Sequence, residues 1–373
     1  MAGIYLHIPF CKQACHYCNF HFSTSLKYKD EMVAVMLREL ALRSSYLGGE
    51  TVETIYFGGG TPSLLDQGDL DLFFDEINKH FVLSADKPEI TLEANPDDLT
   101  PQKIKELRGS PVNRLSIGVQ SFSDADLLFM NRAHQSSEAQ ACIREAQDAG
   151  FDNLTVDLIY GAPTTTGEQW ATNLQLAFGL RIPHLSCYCL TVEEKTALAH
   201  FIKTGKTRPV DEEQAARQFE VLMDLTAMEG YEHYEISNFA LPGHYSRHNT
   251  SYWQGKKYLG IGPSAHSFDG TSRQWNVANN ARYIRTLKTG EIPFERELLT
   301  PGQRYNEYVM TALRTMWGCD FNEVTALGYA QHFTKSIQQH LTEGHVEQSG
   351  HVFRLTRKGK LLADGIAADL FFP

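Results

Sequence analysis

The stretch GIYLHIPFCKQACHYCNF, residues 3–20, carries the two signals from which the rest of the chain is read. Its first half is an apolar, β-branched run of strand length. Its second half sets Cys11, Cys15 and Cys18 within eight positions, and Asn19 and Phe20 follow. The spacing C-x3-C-x2-C therefore falls on a loop after the first strand. Four thiolates are the usual set for holding a metal or cluster by cysteine alone. This loop stops at three and places an aromatic residue next.

Three readings of the triad stand. Structural zinc needs a closed tetrahedral set, with His16 or a distant histidine as fourth ligand. Inert buried thiols explain one or two cysteines but not three at this spacing. An iron–sulfur cluster would have three irons held by the protein and one left open, and an open metal position is where a substrate or cofactor binds.

Beyond the triad, strand-like runs alternate with amphipathic stretches. ETIYFGGG, EITLEANP, RLSIGVQSF, NLTVDLIYG and HLSCYCLTVE follow the first strand, separated by helical patterns such as KDEMVAVMLRELALRSS and SEAQACIREAQDAG. A helix is expected from Thr100, a cap residue, with Pro101 at the first helical position. Near-continuous apolar strands joined by helices predict a parallel sheet. Six such units fit an open (β/α)6 barrel, although the alternation alone also admits a doubly wound sheet. In such barrels chemistry sits where strands end, and Gly58–Gly60, Glu93, Gln120 and Asp157 are all expected to close a strand.

From about residue 205 the pattern changes. YEHYEISNFA reads as one more strand, HYSRHNTSYWQGKKYLGIGPSAHSF as irregular, and residues 296–373 as a smaller, mostly helical domain with a hairpin wing turning at Ser349-Gly350. The expected division is a barrel core over 1–205, a barrel-flanking segment over 206–295 and the winged domain over 296–373. Arg354, Arg357, Lys358 and Lys360 cluster beside the hairpin. With 34 basic against 45 acidic residues and a net charge of −11, this cluster reads as a solvated face or a lid rather than a nucleic-acid surface. The start of the chain lacks the basic and long apolar regions of a signal peptide, and no run approaches the ~20 apolar residues of a membrane span. Seven cysteines, an odd number, favour a reducing compartment. A cytoplasmic location is expected.

The triad spacing matches the motif of the radical S-adenosylmethionine (SAM) superfamily. That resemblance implies a [4Fe-4S] cluster on Cys11, Cys15 and Cys18, with SAM chelating the open iron and an electron from the cluster cleaving its sulfonium to a 5′-deoxyadenosyl radical. FGGGTPS then resembles the segment that pairs with the SAM amino group, its glycines permitting positive φ and close approach. Together IYLHIPFC, GGGTPSLL, EANPD, RLSIGVQSF, NRAH and DLIYGAP resemble the anaerobic coproporphyrinogen oxidase family over nearly the whole chain. Carried over by position, Tyr5, Gly59, Gly60, Thr61, Glu93, Gln120, Arg132 and Asp157 are the implied SAM contacts. Arg132 suits a carboxylate because its planar fork can bind one bidentately. Read without the resemblance, Glu93 is a cap neighbour or surface carboxylate, and Gln120 and Asp157 are polar residues capping a barrel mouth.

That family holds two functions. Its dehydrogenases, which oxidatively decarboxylate two propionates of coproporphyrinogen, carry a further cysteine two residues past the third, where this chain has Phe20. They also carry an N-terminal extension, whereas ten residues precede Cys11 here. CKQACHYCNF instead resembles the C-x3-C-x-Y-C-[DN]-F of HemW-type haem chaperones. HNTSYW resembles their H-N-x-x-Y-W motif, implying that His248, Asn249, Tyr252 and Trp253 contribute to haem binding. Neutral imidazole is a good haem ligand and aromatic rings pack on porphyrin faces. Without the resemblance, His248 would cap a loop, and Cys187, Cys189 and Cys319 would be buried inert thiols. The implied partners are haem and haem-acceptor proteins, membrane-associated respiratory enzymes among them, and no nucleic acid; a homodimer is compatible. The competing expectations are coproporphyrinogen dehydrogenation and radical SAM modification of RNA or protein.

Overall fold

A computed structural model describes residues 2–373. Six strands, β1 (Ala2–Ile8), β2 (Val52–Gly59), β3 (Glu89–Ala94), β4 (Arg114–Gln120), β5 (Leu154–Tyr160) and β6 (His184–Cys189), lie parallel and in sequence order. Helices Lys29–Leu42, Gln67–His80, Pro101–Gly109, Ser136–Asp148 and Gly167–Gly179 carry the crossovers. Their starts are chemically marked. Asp66 and Thr166 form capping boxes with Asp69 and Gln169, and Thr100 accepts the Lys103 N–H with Pro101 behind it. A doubly wound sheet reverses strand order at a switch point; the unbroken order here makes the architecture a partial (β/α)6 barrel.

The strands alternate rather than running apolar throughout. Ile4, Leu6, Ile55, Phe57, Leu92, Leu115, Ile117, Leu154, Val156 and Leu185 pack in one core beneath the helices. Each stabilises the fold by about 1.5–3 kcal/mol through burial. The intervening Tyr5, His7, Tyr56, Glu93, Ser116, Asp157 and Ser186 meet across neighbouring strands on the inner face. The barrel therefore encloses polar chemistry. Asp157 lies at the middle of β5, not at its end, which brings it into this inner layer instead of a rim.

The barrel does not close. Beyond β6 the segment expected as one strand is a hairpin, β7 (Glu232–Glu235) and β8 (Asn238–Ala240), because Ile236 and Ser237 turn the chain and Ser237 N–H is taken by the Glu235 carboxylate at 2.9 Å. On the other edge, the segment expected to be irregular is ordered. Helix Arg247–Trp253 is capped by Ser246, and the Glu89 carboxylate accepts the N–H groups of Arg247 and His248 at 3.1 and 3.0 Å. It is followed by β9 (Lys257–Ile261), parallel to β1, and by antiparallel β10 (His266–Phe268), β11 (Ser272–Asn276) and β12 (Phe294–Leu298).

A second core, built on Tyr305, Val309, Leu313, Phe333, Ile337, Phe353 and Leu370, supports helices Pro301–Leu313 and Ala330–Thr342. The wing is β13 (Cys319–Asp320), β14 (Val346–Ser349) and β15 (Val352–Leu355). Its basic cluster is in part the solvated face expected, since Arg357 and Lys358 are exposed, and in part a set of contacts. Arg357 pairs with Asp224, Lys360 Nζ meets His233 Nδ1 at 3.0 Å, Lys358 Nζ donates to the Glu343 carbonyl at 3.3 Å and Arg354 Nε to the Met316 carbonyl at 2.8 Å. Asp224 and His233 belong to the barrel side, so Arg357 and Lys360 fasten the wing to it, while Arg354 and Lys358 bond within the winged domain.

Candidate functional site

Cys11, Cys15 and Cys18 are half-buried and unpaired in a loop whose neck is tied: Cys11 N–H donates to the Ser23 carbonyl at 3.0 Å and Ser23 N–H to Pro9 at 2.9 Å. Each sulfur has a donor. Thr61 hydroxyl serves Cys11, Arg132 Nη1 serves Cys15 at 3.3 Å, and the Phe20 amide serves Cys18. Burial first, and the neighbouring thiols with it, push Cys11 up to about 11, and burial likewise raises Cys18. Three thiols gathered on one loop, each with a donor aimed at it, suit an electropositive guest bound through thiolates. Among the described residues, the group whose donor atoms all lie within 4.8 Å of one another is His340, Glu343 and His345 in the winged domain, not the cysteines.

The glycine run serves this loop. Gly59 alone of the three has positive φ, +102°. A Cβ on Gly60 would stand 2.5 Å from the Phe10 carbonyl and 2.7 Å from that of Ile8, and one on Gly58 within 3.0 Å of Tyr56, Tyr5 and Glu93. Gly60 N–H and Thr61 N–H bond the Ile8 and Phe10 carbonyls at 2.9 and 2.7 Å. The close approach is thus to the chain's own first strand.

Behind the loop the other SAM candidates form one network. Arg132 Nη2 donates to Asn95 Oδ1 at 2.5 Å and to the Gly118 carbonyl at 2.6 Å, and Asn95 donates to Thr61 at 3.1 Å. Gln120 sits at a bulge in β4 with φ +70°, its amide nitrogen 3.0 Å from where a Gly118 side chain would begin. Glu93 accepts from Tyr56 at 2.8 Å and from Gly59 N–H at 3.2 Å. Burial, with Asp157 adding to it, raises its pKa to about 7, and burial raises Asp157 to about 6. Two enclosed carboxylates held near neutrality suit a cationic guest. Arg132 Nε is buried without a partner, an open donor on the same wall. The residues present fit a cluster and a cationic cofactor with a carboxylate.

The expected haem motif divides. His248 is buried, with Nδ1 on Thr54 Oγ1 at 2.7 Å and Nε2 on Tyr252 Oη at 2.8 Å; burial lowers its pKa to about 3. Its ring lies on Tyr56, centroids 4.9 Å apart. Asn249 contributes its N–H to the helix cap. Tyr252 and Trp253, by contrast, line a cleft of about 700 Å³. Tyr5 and His7 form its floor beside the cofactor network, Phe20 enters from the cysteine loop, and Tyr258, His266, Phe268 and Arg273 stand on the flanking strands. Helix Pro301–Leu313 closes it through Glu307, Met310 and Thr311. The structure brings the SAM candidates and the cysteines together, sets two motif aromatics beside them, and keeps His248 behind. Sequence reasoning missed the cleft residues of β9–β11. The signal was GIGPSAH, whose Gly260 leaves room for the His266 carbonyl crossing over it. Cys187 and Cys319 are buried, whereas Cys189 is exposed rather than buried.

A radical SAM superfamily model matches residues 5–177 and a HemN C-terminal domain model residues 299–362. The chain is 33% identical to the heme chaperone HemW of Mycobacterium tuberculosis, over 99% of this chain and 94% of that one. It is 33% identical to heme chaperone HemW of Bacillus subtilis over 98% of each, and 31% identical to that of Escherichia coli over 98% and 96%. The coproporphyrinogen III oxidase HemN of Escherichia coli, a radical SAM enzyme, superposes with a TM-score of 0.86 at 23% identity, over 99% of this chain and 90% of that structure.

Proposed function

This chain belongs to the HemW family of the radical SAM superfamily, and from that membership we propose that it binds haem and delivers it to acceptor proteins. The observation that carries the reading is the cleft. Its volume falls within the roughly 300–1,000 Å³ of small-molecule sites, its walls are aromatic, and one of them is Phe20, the residue standing where a dehydrogenase places its extra cysteine.

The division of labour follows from the side chains. Cys11, Cys15 and Cys18 hold the [4Fe-4S] cluster, with Thr61, Arg132 and the Phe20 amide donating to the sulfurs. Tyr5, the Gly59–Thr61 turn, Glu93, Gln120, Arg132 and Asp157 hold SAM, the buried carboxylates offsetting its positive charge. Bound together, cluster and SAM supply one-electron chemistry. Here the protein uses that assembly to form one wall of a cargo cleft, and the Cys18–Phe20 segment couples the two sites. We extend the reading to a cytoplasmic site of action, to membrane-associated respiratory enzymes as acceptors, to a homodimer as a compatible form, and to 1–205, 206–295 and 296–373 as the functional divisions.

The test sets the two family activities against each other. Cluster-loaded protein given SAM, a low-potential reductant and coproporphyrinogen III is expected to yield no protoporphyrinogen. The haem-loaded protein is expected to release haem to membranes holding haem-depleted acceptors. Protoporphyrinogen formation at catalytic turnover would overturn the assignment in favour of the dehydrogenase.

A further inference from the structure

Resting on the haem-binding reading above, we infer that the protein ligand to haem iron in the cleft is His266, with Lys256 as the partner of a haem propionate, and that His248 is a positioning residue. A ligand to iron must offer a nitrogen lone pair to the cleft. His248 has none to offer: both ring nitrogens are engaged, by Thr54 and Tyr252, and the ring is sandwiched behind the cleft wall. What His248 does is fix the Tyr252 hydroxyl, and through it the aromatic wall.

His7 is engaged in the same way, Nε2 donating to the His21 carbonyl at 2.9 Å and Nδ1 taking the Tyr5 hydroxyl at 3.2 Å. His21 keeps Nε2 on Asn280 at 2.7 Å. Among the described residues, His266 is the exposed one of the cleft histidines and carries no hydrogen bond on either ring nitrogen. Its ring lies along Trp275, centroids 6.2 Å apart at 29°, which orients it. Its backbone is fixed from below: the Ser267 hydroxyl bonds Gly260 N–H at 2.9 Å, and Asn276 N–H bonds the Ala265 carbonyl at 2.9 Å. A ligand on a rigid strand is the arrangement that metal sites favour. Partial desolvation of the ring against the cleft wall, with the nearby Arg273, lowers its pKa and favours the neutral imidazole that ligates iron. The tyrosines are poorer candidates, since burial raises Tyr252 and Tyr258 above the ordinary phenol range.

The propionates need a cation that is not already spent. Arg273 is bound bidentately by Glu307 at 2.6 and 2.9 Å. Lys256 lines the same cleft, half-buried, and among the described residues it carries no ion pair or hydrogen bond through its ammonium.

The experiment is an anaerobic haem titration of the cluster-loaded full chain, followed through the Soret band. Parent protein is compared with His266→Ala, His248→Gln, His21→Ala and Lys256→Ala. His266→Ala is expected to shift the Soret band and weaken binding by about tenfold or more, in line with the cost of disturbing a metal's ligand set, and added imidazole is expected to restore the parent spectrum. His248→Gln, which keeps a donor and an acceptor for Thr54 and Tyr252, is expected to retain the parent spectrum. Lys256→Ala is expected to weaken binding a few-fold with the spectrum unchanged. A parent-like spectrum and affinity in His266→Ala, or the spectral change appearing in His248→Gln or His21→Ala instead, would overturn the inference while leaving haem binding intact. A parent that takes up no haem would overturn both.

Discussion

Glu93 shows at the scale of one residue what the barrel is built to hold. It is enclosed by Tyr56 and Gly59, has no ion pair among the described residues, and has its pKa raised from 4.5 to about 7, chiefly by burial. The sign follows. Between about pH 4.5 and 7 the folded state binds a proton that the unfolded chain has lost, so stability is present in full below that window and declines as pH rises through it. Asp157, raised to about 6, acts in the same sense. Chemical denaturation of the cofactor-free protein from pH 4.5 to 8 should show this decline, and Glu93→Gln should flatten it; equal slopes in parent and variant would contradict the assignment. SAM should reduce the decline in the parent, because its positive charge favours the ionised carboxylate. The triad itself was legible from three cysteines at one spacing. The buried state of His248 was not, because a histidine between polar residues carries no mark of which side of a wall it faces.

At the scale of elements, the strand and helix order was legible because β-branched runs, caps and Pro101 all agree locally. The polar inner face is written in the alternation of ITLE, RLS and LTVDL, where every second residue is polar, so the expectation of near-continuous apolar strands fails on that face. The irregular reading of residues 244–268 missed β9 because its pairing partner, β1, lies over 250 residues away in sequence, and nothing local reports such a contact. The Gly58–Gly60 turn gives a test at this scale. Gly60→Ala puts a methyl group against two backbone carbonyls at the neck of the cysteine loop, so neither can move aside cheaply. A loss of about 1–3 kcal/mol is expected from the overpacking, together with poor iron and sulfide incorporation although all three cysteines remain. Parent-level stability and cluster content in that variant would show that the neck does not position the loop.

For the whole molecule, function depends on two cores held in register. The winged domain supplies one wall of the cleft through Glu307, Met310 and Thr311. It is fastened by Arg314, whose Nε pairs with the buried Glu235 at 3.0 Å and whose guanidinium lies 5.3 Å from the centre of the Trp253 ring. Removing one partner of a buried ion pair strands the other, so Arg314→Ala should cost about 3–5 kcal/mol, discounted for the partial exposure of the arginine. Thermal unfolding should fall accordingly and haem affinity with it, since the wall carrying Trp253 loosens. Unchanged affinity in a clearly destabilised variant would separate the cleft from the interdomain contact. This long-range clamp was invisible in the sequence, where Arg314 and Glu235 are simply two charges on different segments.

The most direct measurement is the anaerobic titration of the cluster-loaded parent with haem. A chaperone that carries its cargo in the cleft between β9–β11 and helix Pro301–Leu313 should saturate at about one haem per chain, with a sharp Soret band and tryptophan emission quenched in step with it, less so in Trp253→Phe. Uptake that never saturates, or quenching that is the same in parent and Trp253→Phe, would contradict the account at its centre.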